Sequence, residues 1–255
     1  MIKDVLSVFL KTKFIAALCL AVFILMGLSG CVFVGFSELG SVTARGSREV
    51  YEIKVDAYNG IIIDGFCDVR YYAAPSDTVT LEVSPDVREF FRLEVINGDL
   101  VVRSTKRINF SSHNSPVLTI STPALNRLTI DGAGVFTAHD KISAGSFTFK
   151  LSGAGSCKAA LDVHSLNAVI SGAGKLELSG KAETADLTLS GAGDMIALPL
   201  QTQDTRIRIS GAGKVSVSCA RDLRIDADGM GTIEYRGSPA VSINKDGLVK
   251  IRQVN

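Results

Sequence analysis

Carboxylates that recur at one point of a repeated motif are the residues most able to do chemistry in this 255-residue chain. Asp131, Asp194 and Asp228 lie at or near Gly-rich tetrapeptides, and clustered carboxylates are what glycan-cleaving enzymes use for acid–base catalysis. Asp131 and Asp228 occupy the same motif position, but four further motifs lie between them in the chain, and this separation is too large for a catalytic pair. We therefore expect these side chains to accept hydrogen bonds in turns.

The sequence lacks the residue spacings that nucleophilic or metal-dependent catalysis requires. The histidines are His113, His139 and His164, and no pair of them has the spacing of a metal site. No Gly-x-Ser-x-Gly motif precedes a helix, so the sequence has no nucleophile elbow. We predict a protein that is not an enzyme, with no catalytic residue, no metal and no other cofactor.

Cys31 lies where a covalent modification is expected. Three lysines in the first 13 residues precede an uncharged apolar run from Phe14 to Leu28, and the run ends in Leu-Ser-Gly-Cys. That order is typical of a bacterial lipoprotein signal, in which the cysteine is acylated and becomes the new N-terminus. The run is also short for a membrane-spanning helix, which needs ~20 residues. The sequence predicts a signal peptide over residues 1–30 and lipidation of Cys31.

This anchor places the mature chain in the bacterial cell envelope. We expect the outer membrane, on a side that the sequence leaves open, with residues 31–48 as a Gly- and Ser-rich tether. The net charge of +1 and the absence of Trp give no basic, aromatic surface for a nucleic acid. Cys67, Cys157 and Cys219 are expected to be small buried side chains, although one disulfide remains open in this compartment.

The elements that must position any site are strands. Apolar and polar residues alternate over 78–83 and 147–151, and the tetrapeptide SGAG begins at 152, 171, 190 and 210. DGAG begins at Asp131 and DGMG at Asp228, so the intervals are 21, 19, 19, 20 and 18 residues. A fixed period near 20 predicts an all-β solenoid with one coil per repeat.

The repeated glycines are expected to form stacked corners. A corner made by one coil must be made by all, and glycine both adopts positive φ and allows close backbone approach. Weaker matches at Asp64 (DGFC) and Lys245 (KDGL) extend the series. The predicted corner residues are Gly132, Gly134, Gly153, Gly155, Gly172, Gly174, Gly191, Gly193, Gly211, Gly213, Gly229 and Gly231.

One solenoid domain is predicted over residues 49–255, less regular over 49–127 and regular over 128–255. Asn97-Gly98 is typical of a tight hairpin turn. The irregular stretch over 49–127 could form the first coils of the solenoid or cap its end. A cap is expected because an open coil leaves an unpaired edge. We expect the charged tail over 243–255 to protect the other end.

Tyrosines concentrate before the regular repeats, and exposed loops on rigid scaffolds commonly carry function. If a ligand surface exists, we expect it near Tyr71, Tyr72 and the polar loop over 106–116, which contains His113. The alternative is that the tyrosines pack at strand edges over the core.

Several stretches together resemble the bacterial family of putative autotransporter adhesins with a head GIN domain. They are NGIIIDGFCDVRYY, VTLEV with LEVINGDLVV, PVLTISTPALNRLTIDGAG and the SGAG series, from about Val55 to the end of the chain. The resemblance implies a right-handed parallel β-helix on a cell-envelope protein, often a lipoprotein. The family's biochemical function is largely unassigned, and we expect non-enzymatic binding or adhesion to a glycan or protein ligand. The alternatives are a structural scaffold that stacks end to end and, third, a polysaccharide-active enzyme.

Overall fold

Nearly every residue that the computed structural model describes, 41–111 and 114–255, lies in or beside a β-strand. Within those ranges no helix is long and apolar enough to span a bilayer. The one short helix there is α1 (Pro85–Arg88). The strands are β1 (Val42–Thr43), β2 (Glu49–Ile53), β3 (Gly60–Asp64), β4 (Asp68–Ala73), β5 (Thr78–Val83), β6 (Phe91–Ile96), β7 (Asp99–Ser104), β8 (Ile108–Asn109), β9 (Val117–Thr122), β10 (Arg127–Ile130), β11 (Ala133–Ala138), β12 (Ile142–Leu151), β13 (Ala154–Ile170), β14 (Ala173–Leu189), β15 (Ala192–Ile209), β16 (Ala212–Ala227), β17 (Met230–Arg236), β18 (Ala240–Lys245) and β19 (Leu248–Gln253).

The strands from β13 to β16 are coils of a parallel β-solenoid. Each is 16 to 18 residues long, bends along its course, and pairs in parallel with the next. Equivalent repeat positions face each other, so Cys157 pairs with Leu176 and Leu176 with Met195. The prediction of an all-β solenoid with one coil per repeat is confirmed.

Alternation along each coil sends one set of side chains into the core. In β14 these inward residues are at most 5% exposed, and they are Leu176, Leu178, Ala182, Ala185, Leu187 and Leu189. Equivalent residues stack into ladders that run through the molecule. Because burying one Leu side chain contributes ~1.5–3 kcal/mol, these ladders hold the coils together.

The SGAG motif makes the corner between consecutive coils, as predicted. The backbone N–H groups of Ser171 and Gly172 both donate to the Leu151 carbonyl, at 2.9 and 3.1 Å. A Cβ atom placed on Gly172 would lie 2.0 Å from the Gly153 carbonyl oxygen in the coil below. The corner therefore excludes any side chain, because the next backbone occupies the space.

Positive φ explains fewer of these glycines than the sequence suggested. The first glycine of each corner, such as Gly172, has no positive φ, so close approach alone requires it. Among the second glycines, Gly134, Gly213 and Gly231 have φ of 153°, 151° and 138° and meet both conditions. Steric contact between coils is thus the more general cause of the repeat.

The N-terminal part has a chain path that the sequence did not reveal. Strands β3 and β4 form one coil, with β7 and β9 stacked in parallel on one side and β10 and β11 on the other. Antiparallel strands then extend the outer side, since β6 pairs with β7, β5 with β9, and β2 with β5. This part therefore both begins the solenoid and covers its first coils.

Two local predictions in this part are confirmed. Asn97 and Gly98, with φ of 54° and 80°, turn the chain between β6 and β7, as a tight hairpin requires. The weak DGFC match is a corner, because a Cβ on Gly132 would lie 1.8 Å from the Gly65 carbonyl oxygen.

The C-terminal tail is not a cap, which corrects our expectation. Strand β18 continues the stack on β16, and β19 continues it on β17, with Gly247 at the corner between them. Val241, Ile243 and Leu248 are 38%, 51% and 81% exposed at this end. The tail alternates with the same period as the coils, so it forms one more coil, and no strand of residues 41–111 or 114–255 pairs with the outer edge of that coil.

Candidate functional site

Tyr71 belongs to the core, and this corrects its assignment to a ligand surface. It is 2% exposed, and its hydroxyl donates to the Thr122 carbonyl at 3.4 Å. Its ring stacks on Phe136 with centroids 6.5 Å apart, and burial raises the pKa of the phenol. In a strand, neighbouring residues face opposite sides, so Tyr71 and Tyr72 could not both point outward.

Tyr72, unlike Tyr71, faces solvent. It is 37% exposed, and its ring stacks on His139 with centroids 4.8 Å apart and planes 4° apart. Nearby, the Asp140 carboxylate accepts a hydrogen bond from the Ala73 N–H at 3.1 Å. This pair is a small aromatic platform, while the predicted His113 lies outside the described residues, as does Cys31.

A larger feature is a groove that runs across one face of the solenoid, along the stacking direction. Its volume is about 650 Å³. Asp186, Arg206 and Arg224 are partners in successive coils and form one charged ladder in it. None of the lining side chains that the structure describes is aromatic, and the others are Ser165, Leu166, Asn167, Thr184, Ala185, Asp204, Thr205, Asp222, Leu223, Ala240 and Ser242.

Ion pairs between coils hold the charged side chains of this face in place. Arg208 makes two hydrogen bonds to the Asp186 carboxylate, at 2.7 and 3.1 Å. Arg206 donates to Asp226 at 2.9 Å, and Arg224 lies 3.6 Å from the same carboxylate. The Arg206 Nε atom is buried without a partner among the described residues. Paired guanidinium groups of this kind give a fixed charge pattern.

Asp204, a carboxylate at the edge of the groove, suits binding better than acid catalysis. Asp204 and Asp222 are partners in adjacent coils. Arg221 Nε donates to Asp204 at 2.8 Å and lies 3.3 Å from Asp222. The hydrogen bond from Arg221 lowers the pKa of Asp204 below its ordinary value. A general acid needs a raised pKa, so Asp204 is a stable negative charge.

The other carboxylates from the sequence analysis serve the corners. Asp194 accepts a hydrogen bond from the Lys214 N–H at 3.0 Å, and Asp131 accepts one from the Ser152 hydroxyl. Asp131 and Asp228 stand five strand spacings apart, about 24 Å. Across residues 41–111 and 114–255, no group of three or more His, Cys, Asp or Glu side chains could hold a metal ion.

The three described cysteines are buried free thiols, which confirms the expectation and closes the disulfide alternative for Cys67, Cys157 and Cys219. Burial raises the pKa of the Cys67 thiol to about 12 and raises that of Cys157. Thiols of this kind are protonated and unreactive at neutral pH.

Sequence reasoning missed the groove because its residues are far apart in the chain. The signal was present, since Asp186, Arg206 and Arg224 each come four residues before a corner motif. Aligning the repeats by phase places these three charges in one column, whereas inspection of local motifs does not.

Comparison with known proteins gives a family and a fold. The family described as putative auto-transporter adhesin, head GIN domain, matches residues 57–239. A putative adhesin from Bacteroides fragilis is 20% identical, with a TM-score of 0.76 over 84% of this chain and 100% of its own. A putative adhesin from Parabacteroides merdae is 19% identical, with a TM-score of 0.61 over 84% and 99%.

A third solved structure has the same fold under a different description. A putative lipid binding protein from Parabacteroides distasonis is 18% identical, with a TM-score of 0.64 over 85% of this chain and 100% of its own. The comparison with curated proteins found no match.

Proposed function

Because the chain belongs to the family of putative auto-transporter adhesins with a head GIN domain, we propose that it is a cell-envelope protein that binds a ligand by surface recognition. The groove over β13–β16 and β18 is the proposed contact surface. Its mixed, fixed charges carry the proposal, since arranged charges on a rigid scaffold provide specificity in binding.

The lack of covalent chemistry is part of the same proposal. The lowered pKa of Asp204 and the wide separation of Asp131 and Asp228 both favour binding over hydrolysis. A fixed groove also reduces the entropy that is lost when a ligand binds. The ligand would lie along the stacking direction and contact several coils at once.

Attachment to the membrane through lipid on Cys31 would present this groove from the cell envelope. The support is the Leu-Ser-Gly-Cys motif after the apolar run. The end of the predicted tether over 31–48 instead belongs to the fold, because Val42 and Thr43 form β1 and Ala44 is buried. Adhesion in addition requires the solenoid to face outward. Protease shaving of intact cells, with a cleavage site engineered between residues 31 and 40, should release a C-terminally tagged domain. Protection until the outer membrane is opened would contradict adhesion to extracellular ligands.

Charge reversal in the groove tests the proposed contact surface. Cells displaying the full chain would be screened against immobilised glycans and surface proteins, and positive ligands would be retested with Arg224→Glu. We expect at least a tenfold loss of affinity, because reversal places a negative charge beside Asp226 and the ligand. Arg103→Glu, an exposed Arg on the distant strand β7, is the matched control and should bind normally. Equal binding by both variants would contradict the groove as the site.

A further inference from the structure

Both ends of the solenoid leave core ladders unfinished. One ladder of inward residues starts at Tyr51 on β2, passes through Leu81, Leu118 and Val69, and ends at Ile251 on β19. A second ladder starts at Val95 on β6 and ends at Ile243 on β18. At both ends the last side chain of the ladder is only partly covered or is exposed.

The terminal strands also have free backbone edges. Among the described residues, β2 pairs with β5 and β6 with β7 on one side only, and β19 pairs with β17 and β18 with β16 in the same way. Unpaired N–H and C=O groups along such an edge are a template for another strand. Each end therefore offers two strands, one on each of the two faces that meet at the SGAG corner.

The strand directions of the two ends are compatible. β2 is antiparallel to β5, which is antiparallel to β9, so β2 runs parallel to β9 and to every coil stacked on it, including β19. β6 is antiparallel to β7 and hence to β18. If a second copy is placed coaxially, its β2 continues the column of β19. β2 lies three strands beyond β4, whereas β6 lies two strands beyond β3, so β6 is set back by one strand spacing and does not reach β18.

The charges of the two ends are complementary. Outward residues of β2 include Glu52, whereas the charged outward residues of β19 are Lys250 and Arg252. Continuing the register of the ladders places Arg252 opposite Glu52 of the next copy and Lys250 opposite Val50. A two-fold, tail-to-tail pair would instead bring the basic residues of β19 together, which is unfavourable.

We propose that copies of this chain associate head to tail, with β19 of one copy pairing with β2 of the next. The contact is heterologous, so it repeats and produces a row of coaxial solenoids. It pairs the open edges of both strands and lies beside Val50, which is 67% exposed. This association is independent of ligand binding in the groove.

Cysteine cross-linking tests the contact and its polarity. Val50→Cys and Lys250→Cys would face each other at a parallel-strand spacing of ~4.8 Å, within reach of a disulfide. The full chain, purified in detergent, would be treated with a mild oxidant. The double variant should give a ladder of oligomers, and a mixture of the two single variants should give a dimer and nothing larger. The buried thiols of Cys67, Cys157 and Cys219 should not react.

The control and the contrary outcomes are equally specific. Val135→Cys lies in the same outward ladder, in the middle of the stack, and is 45% exposed; combined with Val50→Cys, it should give no ladder. A dimer from Lys250→Cys alone would overturn the head-to-tail arrangement in favour of a two-fold pair. No oligomer from the double variant, or an equal ladder from the Val135→Cys control, would overturn the proposal.

A charge variant gives a second readout on the same contact. Glu52→Arg is expected to shift wild-type oligomers to monomer in sedimentation at low salt, because it places two arginines opposite each other. Glu94 is an outward carboxylate on β6, which is set back from the contact, so Glu94→Arg should have a smaller effect. Unchanged sedimentation of Glu52→Arg would contradict the register.

Discussion

At the scale of single residues, the corner glycines are determined by what lies opposite them in the next coil. A Cβ on Gly172 would be 2.0 Å from the Gly153 oxygen and 2.3 Å from the Ser152 oxygen, both of which are backbone atoms. Backbone in a stacked corner cannot move aside without breaking its own hydrogen bonds. A single methyl group at this position would therefore displace the backbone of two neighbouring coils.

Gly172→Ala is expected to destabilise the fold by about 1–3 kcal/mol, the usual cost of overpacking. The free energy of unfolding from urea denaturation measures it. Gly145→Ala is the matched control, since a Cβ there has nothing within 4 Å. A destabilisation of equal size in both variants would mean that close approach is not the cause.

Cys31 carries a prediction that depends on the sequence alone. Leu28→Arg places a charge where the lipoprotein signal requires an apolar residue, so processing should stop. Labelled palmitate should be incorporated into the wild-type chain and absent from the variant. Incorporation into both would show that the lipoprotein prediction is wrong.

At the scale of elements, the last coil is tied to the one before it by an ion-pair cluster. Glu234 on β17 is 5% exposed, and Lys214 on β16 and Arg252 on β19 both contact its carboxylate. Hydrogen bonds from Lys214 and Arg252 lower the pKa of Glu234 below its ordinary value of 4.5. Stabilisation by this carboxylate is present above about pH 4.5 and is lost as pH falls through the lowered pKa.

Hydrogen exchange of β19 amides should report this loss. In the wild-type chain, protection of β19 should decrease more below pH 4.5 than protection of β14. In Glu234→Gln, protection of β19 should be lower at pH 7 and should change less with pH. Glu94→Gln on β6 is the control and should leave β19 unchanged. An identical pH profile in wild type and Glu234→Gln would refute the role of the cluster.

Strand patterns and repeats predicted the regular elements well, because alternation and corner glycines are local signals. Residue 71 shows the limit: its phenol is buried because β4 pairs between β9 and β11, which the local sequence does not specify. The same holds for the groove, whose charges are 18 to 20 residues apart. The C-terminal coil was predicted as a protective tail because its charged residues alternate with the inward residues Val249 and Ile251, and the charges dominate the composition.

At the scale of the whole molecule, the regular coils behave as interchangeable units. Each contacts its two neighbours, so stability is approximately a sum of coil and interface contributions. Removing one full repeat preserves every ladder, whereas removing part of one breaks the phase of all later strands.

Deletion of residues 171–189, one complete repeat, should leave a folded protein with cooperative unfolding and a lower Tm. Deletion of residues 171–179 is the control and should abolish cooperative unfolding, because half a coil remains. Circular dichroism during heating distinguishes them. Loss of cooperative unfolding in the full-repeat deletion would mean that the coils are not equivalent units.

The central position of the β3–β4 coil affects how the chain can be assembled. These strands emerge early during synthesis, yet strands made later pair with both of their edges. β7 and β9 pair on one side of the coil, and β10 and β11 pair on the other. We therefore expect the solenoid to grow outward in two directions from an early nucleus. Non-local pairings of this kind slow folding, since the segment that contains β4, β5, α1 and β6 must bring β7 back to β3 first. We expect the rate-limiting step to lie in this nucleus, with the later coils added rapidly.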